Sequence, residues 1–311
     1  MKLRSFQTAE HPARAGSPGR SLAAALAGGA SGRRTADPGH VRERACRAAS
    51  RIAWIALALP AAAAPGADGT DAGAAVPYSC TFQGSWADCG FAAQVKGTGR
   101  ITPVEVAGVT GVRLQTQPGD EGVAGSGRAE RADLALSSAE TGCSQGQEQW
   151  WSHALLFPDD YVAPRRTRAD SWPWGVVFDF HHTGSAGQAN FEIDVTGAPA
   201  VMSLAISGGP VVSNGAPGSP TRRWTVGPIR KNHWYQFVYH VRWSATGDGF
   251  FDAWLDGRSV LDYRGPTLYA GEGCYLKLAN YHTPVGAPVA VVHARLRRAA
   301  SEAALRISEL P

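Results

Sequence analysis

Strand-forming segments dominate the second half of the chain. Eight stretches are rich in aromatic and β-branched residues, often alternate apolar with polar positions, and are separated by Gly, Pro, Asn and Asp. They are residues 148–158, 174–182, 189–195, 201–207, 233–244, 249–263, 274–282 and 289–298. Because no long amphipathic helix interrupts them, the pattern predicts an all-β fold built as a two-sheet antiparallel β-sandwich. Asp256-Gly257 predicts a hairpin turn inside the sixth stretch.

The N-terminal residues have a different composition. Several arginines precede the 13-residue apolar run "IAWIALALPAAAA" at 52–64, and small residues follow it. This order is typical of a signal peptide, and the run is shorter than the ~20 residues that a membrane-spanning helix needs. We expect an N-terminal extension and signal peptide at 1–67, a short linker at 68–76 and one domain at 77–311. The alternative for the run is a short buried helix.

A signal peptide predicts that the mature protein is secreted or periplasmic, with no membrane span. Cleavage is expected between Ala63 and Asp68. The stretch before the apolar run is long for a signal peptide, so a further hypothesis is that translation starts near Val41.

The cysteines agree with export. Cys80, Cys89, Cys143 and Cys274 remain after the leader, an even number in a compartment that permits disulfides. We prefer the pairs Cys80–Cys89 and Cys143–Cys274 because the first closes a short loop, although four cysteines allow three connectivities. A zinc site is the weaker alternative because no CxxC or close Cys/His spacing is present.

Charge argues against a nucleic-acid partner. Residues 1–64 carry 10 of the 30 Lys and Arg and 3 of the 26 Asp and Glu, which leaves 20 basic and 23 acidic residues. The formal charge therefore changes from +4 for the whole chain to −3 without the leader. An anionic partner would need a local basic site rather than a basic surface.

The period of two along "VVFDFHH" separates two faces of a strand. Asp179 and His181 share one face, and Phe178, Phe180 and His182 share the other, where the phenylalanines are expected in the core. His181 is therefore the stronger candidate for chemistry.

Two other segments place charged and aromatic residues on one face. In "GRAERADLAL", Arg131 and Asp133 share a face, and the arginine can clamp a carboxylate with two hydrogen bonds. In "GCYLKLANYHT", Tyr275, Lys277 and Tyr281 share a face at even spacings. Taken singly, each of these residues is more often structural than functional.

Together these segments carry a family resemblance. "RADLAL", "QWWSHALLFPDDY", "VVFDFHH", the Trp-rich segment 233–268 and "CYLKLANYH" resemble polysaccharide lyases of the heparin lyase I type, which are related to glucuronan and alginate lyases. The resemblance covers most of residues 128–298, and Lys277 and Tyr281 match the Lys-x-x-x-Tyr spacing of that group. It implies a concanavalin-like jelly roll whose concave sheet holds a uronic-acid polysaccharide and cleaves it by β-elimination.

The resemblance also implies roles for these residues. Arg131 would neutralise the uronate carboxylate, which makes the neighbouring C5 hydrogen acidic enough to remove. His181 and Tyr281 would act as base and acid. A phenol with an ordinary pKa of about 10 is a poor base unless positive charge favours its anion, and Lys277 would supply that charge.

The remaining candidates are assigned to substrate binding: Asp179, Tyr275, Asp133 and His182. Asp179 departs from the family pattern, in which glutamine usually precedes the histidine by two residues. Its charge must be paired with Arg131 or Lys277, or be neutralised, or the substrate must sit differently. A structural calcium is compatible with the resemblance, although no calcium-loop spacing is present; no other cofactor and no catalytic metal are predicted.

Two alternatives belong to different classes of function. "FEIDV" is similar to the catalytic strand of laminarinase-like glycoside hydrolases, with Glu192 and Asp194 on one face, but Thr196 and Gly197 stand where the third carboxylate is needed. A non-catalytic, lectin-like sandwich is the other alternative, because a fold alone does not imply activity. The sequence does not specify which polysaccharide is bound or an oligomeric state.

Overall fold

A computed structural model of the chain describes residues 77–311 apart from 124–125, 169, 185–186 and 212–220. The predicted signal peptide and linker lie outside the described residues. Within the described part the chain forms fifteen strands: β1 (Tyr78–Cys80), β2 (Phe91–Val95), β3 (Ile101–Val106), β4 (Val109–Thr116), β5 (Glu130–Leu136), β6 (Glu148–Leu156), β7 (Gly175–His182), β8 (Phe191–Thr196), β9 (Val201–Ile206), β10 (Arg222–Pro228), β11 (Trp234–Arg242), β12 (Phe250–Leu255), β13 (Arg258–Arg264), β14 (Cys274–His282) and β15 (Val289–Ala299).

Helices are short. One α-helical turn, α1 (Ser138–Thr141), follows β5, and 3₁₀ turns occur at Trp86–Cys89, Thr98–Arg100, Ala303–Leu305 and Ile307–Glu309. The last two show that the C-terminal tail is helical only as single turns. No helix in the described ranges is long and apolar enough to cross a membrane.

The strands form two antiparallel sheets, which confirms the predicted sandwich. The seven-stranded sheet has the order β10-β9-β8-β7-β14-β5-β2. The eight-stranded sheet has the order β13-β12-β11-β6-β15-β4-β3, with β1 also paired to β15. All eight predicted segments contain strands, and the sixth divides into β12 and β13 at Asp256-Gly257, whose φ angles of 49° and 75° suit a tight hairpin. The residue patterns did not predict β1 to β4 or β10.

The core lies between the two sheets. Phe178, Phe180 and Phe191 from the seven-stranded sheet pack against Tyr239 and Phe251 from the eight-stranded sheet, and all five are 0% exposed. The Phe191 and Phe251 rings stack with centroids 4.3 Å apart. The inward face of the seven-stranded sheet is thus occupied by apolar packing, which leaves its outward face for a binding site.

Both preferred disulfides are present. Cys80 bonds Cys89, and Cys143 bonds Cys274. The second links the loop after α1 to the first residue of β14. This disulfide therefore anchors the start of the strand that carries Tyr275, Lys277 and Tyr281.

Candidate active site

A cavity of about 750 Å³ lies on the outward face of the seven-stranded sheet. Its lining comes from neighbouring strands β5, β7, β8 and β14, from β9 and β10, and from the loops around Trp172 and Gln188. Arg131, His181 and Tyr281, three of the four predicted catalytic residues, line this cavity. The fold therefore brings together side chains that are up to 150 positions apart in the sequence.

Strand alternation explains which side chains reach the cavity. On β7, Asp179 and His181 line the cavity while Phe178 and Phe180 are buried in the core, as the period of two predicts. The pairing register of β7 shifts near Val176, so that Val176 also lines the cavity and stands opposite Tyr281 of β14. This irregularity sets the position of Tyr281 along the cavity floor.

Lys277 lies beneath the cavity rather than in its lining. It is 2% exposed, and its Nζ is 3.4 Å from Asp179 Oδ2, its direct cross-strand partner. Burial lowers the pKa of Lys277, but the charges of Asp179 and Asp133 outweigh it, and the net pKa is raised above its ordinary value. The pairing answers the problem posed by Asp179: its negative charge is compensated by Lys277.

The cation beside Tyr281 is Arg131. The Arg131 guanidinium carbon lies 3.8 Å from the centroid of the Tyr281 ring, and the two residues are cross-strand partners on β5 and β14. Lys277 Nζ instead lies 5.4 Å from the ring centroid of Tyr275. The structure thus adds Arg131 as a cation beside Tyr281, and the role of Lys277 as a source of positive charge for Tyr281 stays a prediction.

Tyr281 is held from three sides. Arg131 covers its ring, Trp174 packs edge-on with ring centroids 4.5 Å apart, and its hydroxyl donates a hydrogen bond of 3.5 Å to the carbonyl oxygen of Ser126. These contacts fix the ring while the residue remains part of the cavity wall.

Asp133 supports Arg131 from below. It is 0% exposed, its Oδ2 is 3.2 Å from Arg131 Nε, and its Oδ1 accepts a hydrogen bond of 3.0 Å from the backbone N–H of Asn280. Burial raises its pKa to about 6 even though Lys277 and Arg131 oppose that shift. Asp133 is thus inaccessible to a polymer, and the structure gives it a positioning role instead of the predicted substrate contact.

A hydrogen bond defines which nitrogen of His181 carries a proton. Its Nδ1 is 3.0 Å from the carbonyl oxygen of His182, and because a carbonyl oxygen only accepts, Nδ1–H donates this hydrogen bond. Nε2 is then left with a lone pair. Burial is the largest influence and lowers the pKa of His181, against the opposing charge of Asp179. Tyr275 does not line the cavity; its ring packs beside His181 at a centroid distance of 5.1 Å.

The structure places His182 away from the cavity. Its Nδ1 lies 3.2 Å from Glu272 Oε2, its ring packs edge-on against Tyr269, and the His181 ring lies beside it at a centroid distance of 4.5 Å. His182 is buried and does not line the cavity, so its position does not support the predicted contact with a polymer there.

At the far end of the cavity, residue patterns placed Glu192 and Asp194 on one face but missed Arg223. Arg223 of β10 hydrogen-bonds Glu192 at 2.7 Å and also bonds Asp194, and all three line the cavity. Trp172, which is 84% exposed, and Trp174 form part of the wall. The exposed tryptophan follows a Pro- and Arg-rich loop. Arg223 has no such local signal, because β10 comes close to Glu192 and Asp194 only through the pairing of strands in the sheet.

Metal binding gains no structural support. Among the described residues, no three His, Cys, Asp or Glu side chains are grouped so that they could hold a metal ion. The structural calcium stays a prediction.

Comparisons with known proteins identify a family and similar folds. The family model described as polysaccharide lyase matches residues 83–293. Among solved structures, an endo-β-1,4-glucuronan lyase from the fungus Trichoderma reesei superposes with a TM-score of 0.52 at 13% identity, over 74% of this chain and 96% of that chain. Alginate lyase Aly36B gives a TM-score of 0.49 at 14% identity, over 72% and 96%. No curated protein matches the chain. The narrower resemblance to heparin lyase I stays a prediction.

Proposed function

The chain belongs to the polysaccharide lyase family, and we propose that it cleaves a uronic-acid-containing anionic polysaccharide by β-elimination in the cavity of the seven-stranded sheet. One observation carries the proposal: Arg131, His181 and Tyr281 line a single cavity from three strands that are neighbours in the sheet. These three side chains supply a cation, a neutral base and a hydroxyl, which are the groups that the reaction requires.

Arg131 neutralises the uronate carboxylate. The hydrogen on C5 becomes acidic only when charge that develops on the adjoining carboxylate is stabilised, and a guanidinium does this with two parallel hydrogen bonds. Asp133, at 3.2 Å from Arg131 Nε, orients the guanidinium from the buried side. Nη1 of Arg131 donates a hydrogen bond of 3.5 Å to Gln94 Oε1 on β2.

His181 removes the C5 proton. The hydrogen bond from Nδ1 to the His182 carbonyl leaves Nε2 unprotonated, and the lowered pKa keeps the ring neutral at neutral pH. A base in this state accepts a proton without first losing one. Tyr275 packs against the ring and restricts its rotation.

Tyr281 donates a proton to the departing glycosidic oxygen. Its hydroxyl carries the proton to be transferred, and Arg131 and Trp174 hold the ring in place. The phenolate that forms after proton transfer is stabilised by the guanidinium over the ring. The C4–O bond breaks as the C4–C5 double bond forms, so the pair of electrons from the C5–H bond remains in the product.

Export is proposed together with this activity. The apolar run at 52–64 and the two disulfides support a secreted or periplasmic location, because disulfides persist in oxidising compartments. An extracellular or periplasmic enzyme also has direct access to a polysaccharide.

A panel of soluble uronate polymers tests the proposal. Each polymer is incubated with the purified protein, and ultraviolet absorbance and new reducing ends are measured together. We expect at least one polymer to give an unsaturated, ultraviolet-absorbing product. New reducing ends without that absorbance would instead indicate hydrolysis, with Glu192 and Asp194 as the candidate carboxylates, and binding without cleavage would indicate a lectin.

A further inference from the structure

The two ends of the cavity differ in charge. One end holds Arg131, His181 and Tyr281, and the other holds Glu192, Asp194 and Arg223. Asp179 lies between them, directly opposite Lys277 on one side and Glu192 on the other. A polymer that crosses β14, β7 and β8 therefore passes from a cationic end, over Asp179, to an end with two carboxyl groups and one arginine.

The cation at the second end is already engaged. Arg223 bonds Glu192 through Nη2 and Asp194 through Nη1, so one guanidinium serves two carboxylates. Glu192 is 5% exposed and Asp194 is 7% exposed, while the Arg223 side chain is half exposed. With two acidic partners for one arginine, this end has no surplus positive charge with which to receive a second uronate carboxylate.

The cation next to the middle of the cavity is engaged as well. Lys277 is 2% exposed, and its Nζ is 3.4 Å from Oδ2 of Asp179, which lines the cavity. Because Lys277 is paired with Asp179, it does not offer a positive charge to a second uronate carboxylate.

Glu192 and Asp194 also suit hydroxyl groups. Burial and their mutual repulsion raise the pKa of Glu192 well above its ordinary value, and burial raises the pKa of Asp194 against the charge of Arg223. A protonated carboxyl next to a carboxylate offers both a donor and acceptors, as a pair of neighbouring sugar hydroxyls does.

We infer that this cavity accommodates one uronate at the Arg131 end and a neutral sugar at the Glu192–Asp194 end, so that the substrate is a heteropolysaccharide in which uronates are flanked by neutral sugars. This inference rests on the proposed function and narrows its substrate class. Homopolymeric uronates place a carboxylate on every ring, and one of these would meet Asp179, Glu192 and Asp194.

Matched polymers test the inference. Polyglucuronate, polymannuronate and polyguluronate are each compared with a sample of the same polymer in which every second carboxylate, on average, has been reduced to the neutral sugar. Linkage and chain length are thereby kept, and rates of unsaturated-product formation are expressed per remaining uronate. We expect the partly reduced member of the cleaved pair to have a kcat/KM at least about 10-fold higher, because the Glu192–Asp194 end has no surplus positive charge to receive the additional carboxylates of the fully charged chain.

Neutralising the acidic end supplies the second arm. In Glu192→Gln/Asp194→Asn the two carboxylates are removed and Arg223 is released, so the preference for the partly reduced polymer is expected to shrink to about 3-fold or less. The control Glu105→Gln/Asp262→Asn makes the same change in net charge at exposed positions of the eight-stranded sheet, and its preference should equal that of the wild type.

The possible results separate the two proposals. Equal or faster cleavage of the homopolymers by the wild type overturns the inference and leaves the proposed lyase activity in place. If no polymer in the set gives an unsaturated product, both the proposed activity and the inference are overturned. Should the double variant fail to fold, the comparison of polymers with the wild-type protein still decides the question.

Discussion

The two faces of the seven-stranded sheet are almost equally buried but chemically opposite. On the inward face Phe180 is 0% exposed and is surrounded by aromatic rings. On the outward face Lys277 is 2% exposed, and its neighbours are carboxylates. Both side chains come from strands in which successive residues alternate between the faces. Burial alone therefore does not identify the hydrophobic core, because the outward face holds buried charges that compensate one another.

This contrast separates stability from activity. Apolar packing on the inward face stabilises the fold, whereas burying ion pairs contributes little to stability because the desolvation of each charge offsets the attraction. A set of buried charges on the outward face is thus better explained by the reaction than by folding. Substitutions on the two faces should have separable effects.

Replacement of His181 should have the largest effect on activity. We expect His181→Ala to lower kcat/KM about 10²- to 10⁴-fold, the usual contribution of a general base, with little change in the free energy of unfolding. Steady-state kinetics and urea denaturation measure the two quantities.

The adjacent histidine is the matched control. His182→Ala removes a buried ring that does not line the cavity and that packs on Tyr269 beside Glu272. It should reduce stability and leave kcat/KM of the folded protein near the wild-type value. An equal loss of activity in both variants would contradict the assignment of His181 to catalysis and of His182 to packing.

A core substitution on the same strand should have the converse effect. Phe180→Ala removes a fully buried ring that packs against Trp243 and Phe251, and we expect the free energy of unfolding to fall by about 3–5 kcal/mol. The fraction that remains folded should retain its kcat. A large drop in kcat at full folding would show that the two faces are not independent.

The buried ion pair gives a test of charge compensation. Lys277→Met leaves Asp179 buried without its cation, and removal of one partner of a buried pair typically costs about 3–5 kcal/mol. Adding Asp179→Asn should recover most of that stability because the uncompensated charge is gone. If the double variant is no more stable than Lys277→Met, the pair does not compensate charge as we describe.

Acid should destabilise the inward face through a buried histidine. His282 is 2% exposed and burial lowers its pKa to about 4 from 6.5. Between these pH values the unfolded chain binds a proton that the folded chain does not, so stability falls as the pH is lowered from 6.5 to 4. At ~1.4 kcal/mol per pKa unit the loss from this group is about 3 kcal/mol once the pH is below 4.

The variant His282→Gln isolates this contribution. The difference in free energy of unfolding between variant and wild type, measured by denaturation at several pH values, should shift in favour of the variant as the pH falls through this window. Asp133 has the opposite effect on the pH dependence of stability. Its pKa is raised to about 6, so between pH 3.8 and 6 the folded chain holds a proton that the unfolded chain has lost. A pH-independent difference would contradict the buried state of His282.

Local patterns predicted the strands that carry the site but not all of their partners. The period of two correctly separated Asp179 and His181 from the phenylalanines, because the face of a residue on a strand depends only on its neighbours in sequence. The cross-strand neighbour of Tyr281 depends on the pairing between β5 and β14, whose register places Arg131 there, and the residue pattern did not predict this contact.

Long-range pairing explains the other differences as well. Arg223 approaches Glu192 and Asp194 because β8, β9 and β10 are adjacent in the sheet, and nothing in the sequence around Arg223 specifies that adjacency. The disulfides were easier to predict, since one of them closes a short loop and four cysteines leave few pairings.

The most direct test of the account compares two tyrosines on β14. Tyr281→Phe and Tyr275→Phe each remove one hydroxyl from the same face of the same strand, but Tyr281 lines the cavity and Tyr275 does not. With the polymer that the wild type cleaves, formation of the ultraviolet-absorbing product should fall at least ~10²-fold in Tyr281→Phe and persist in Tyr275→Phe. Wild-type rates in Tyr281→Phe would contradict the proposed catalytic site.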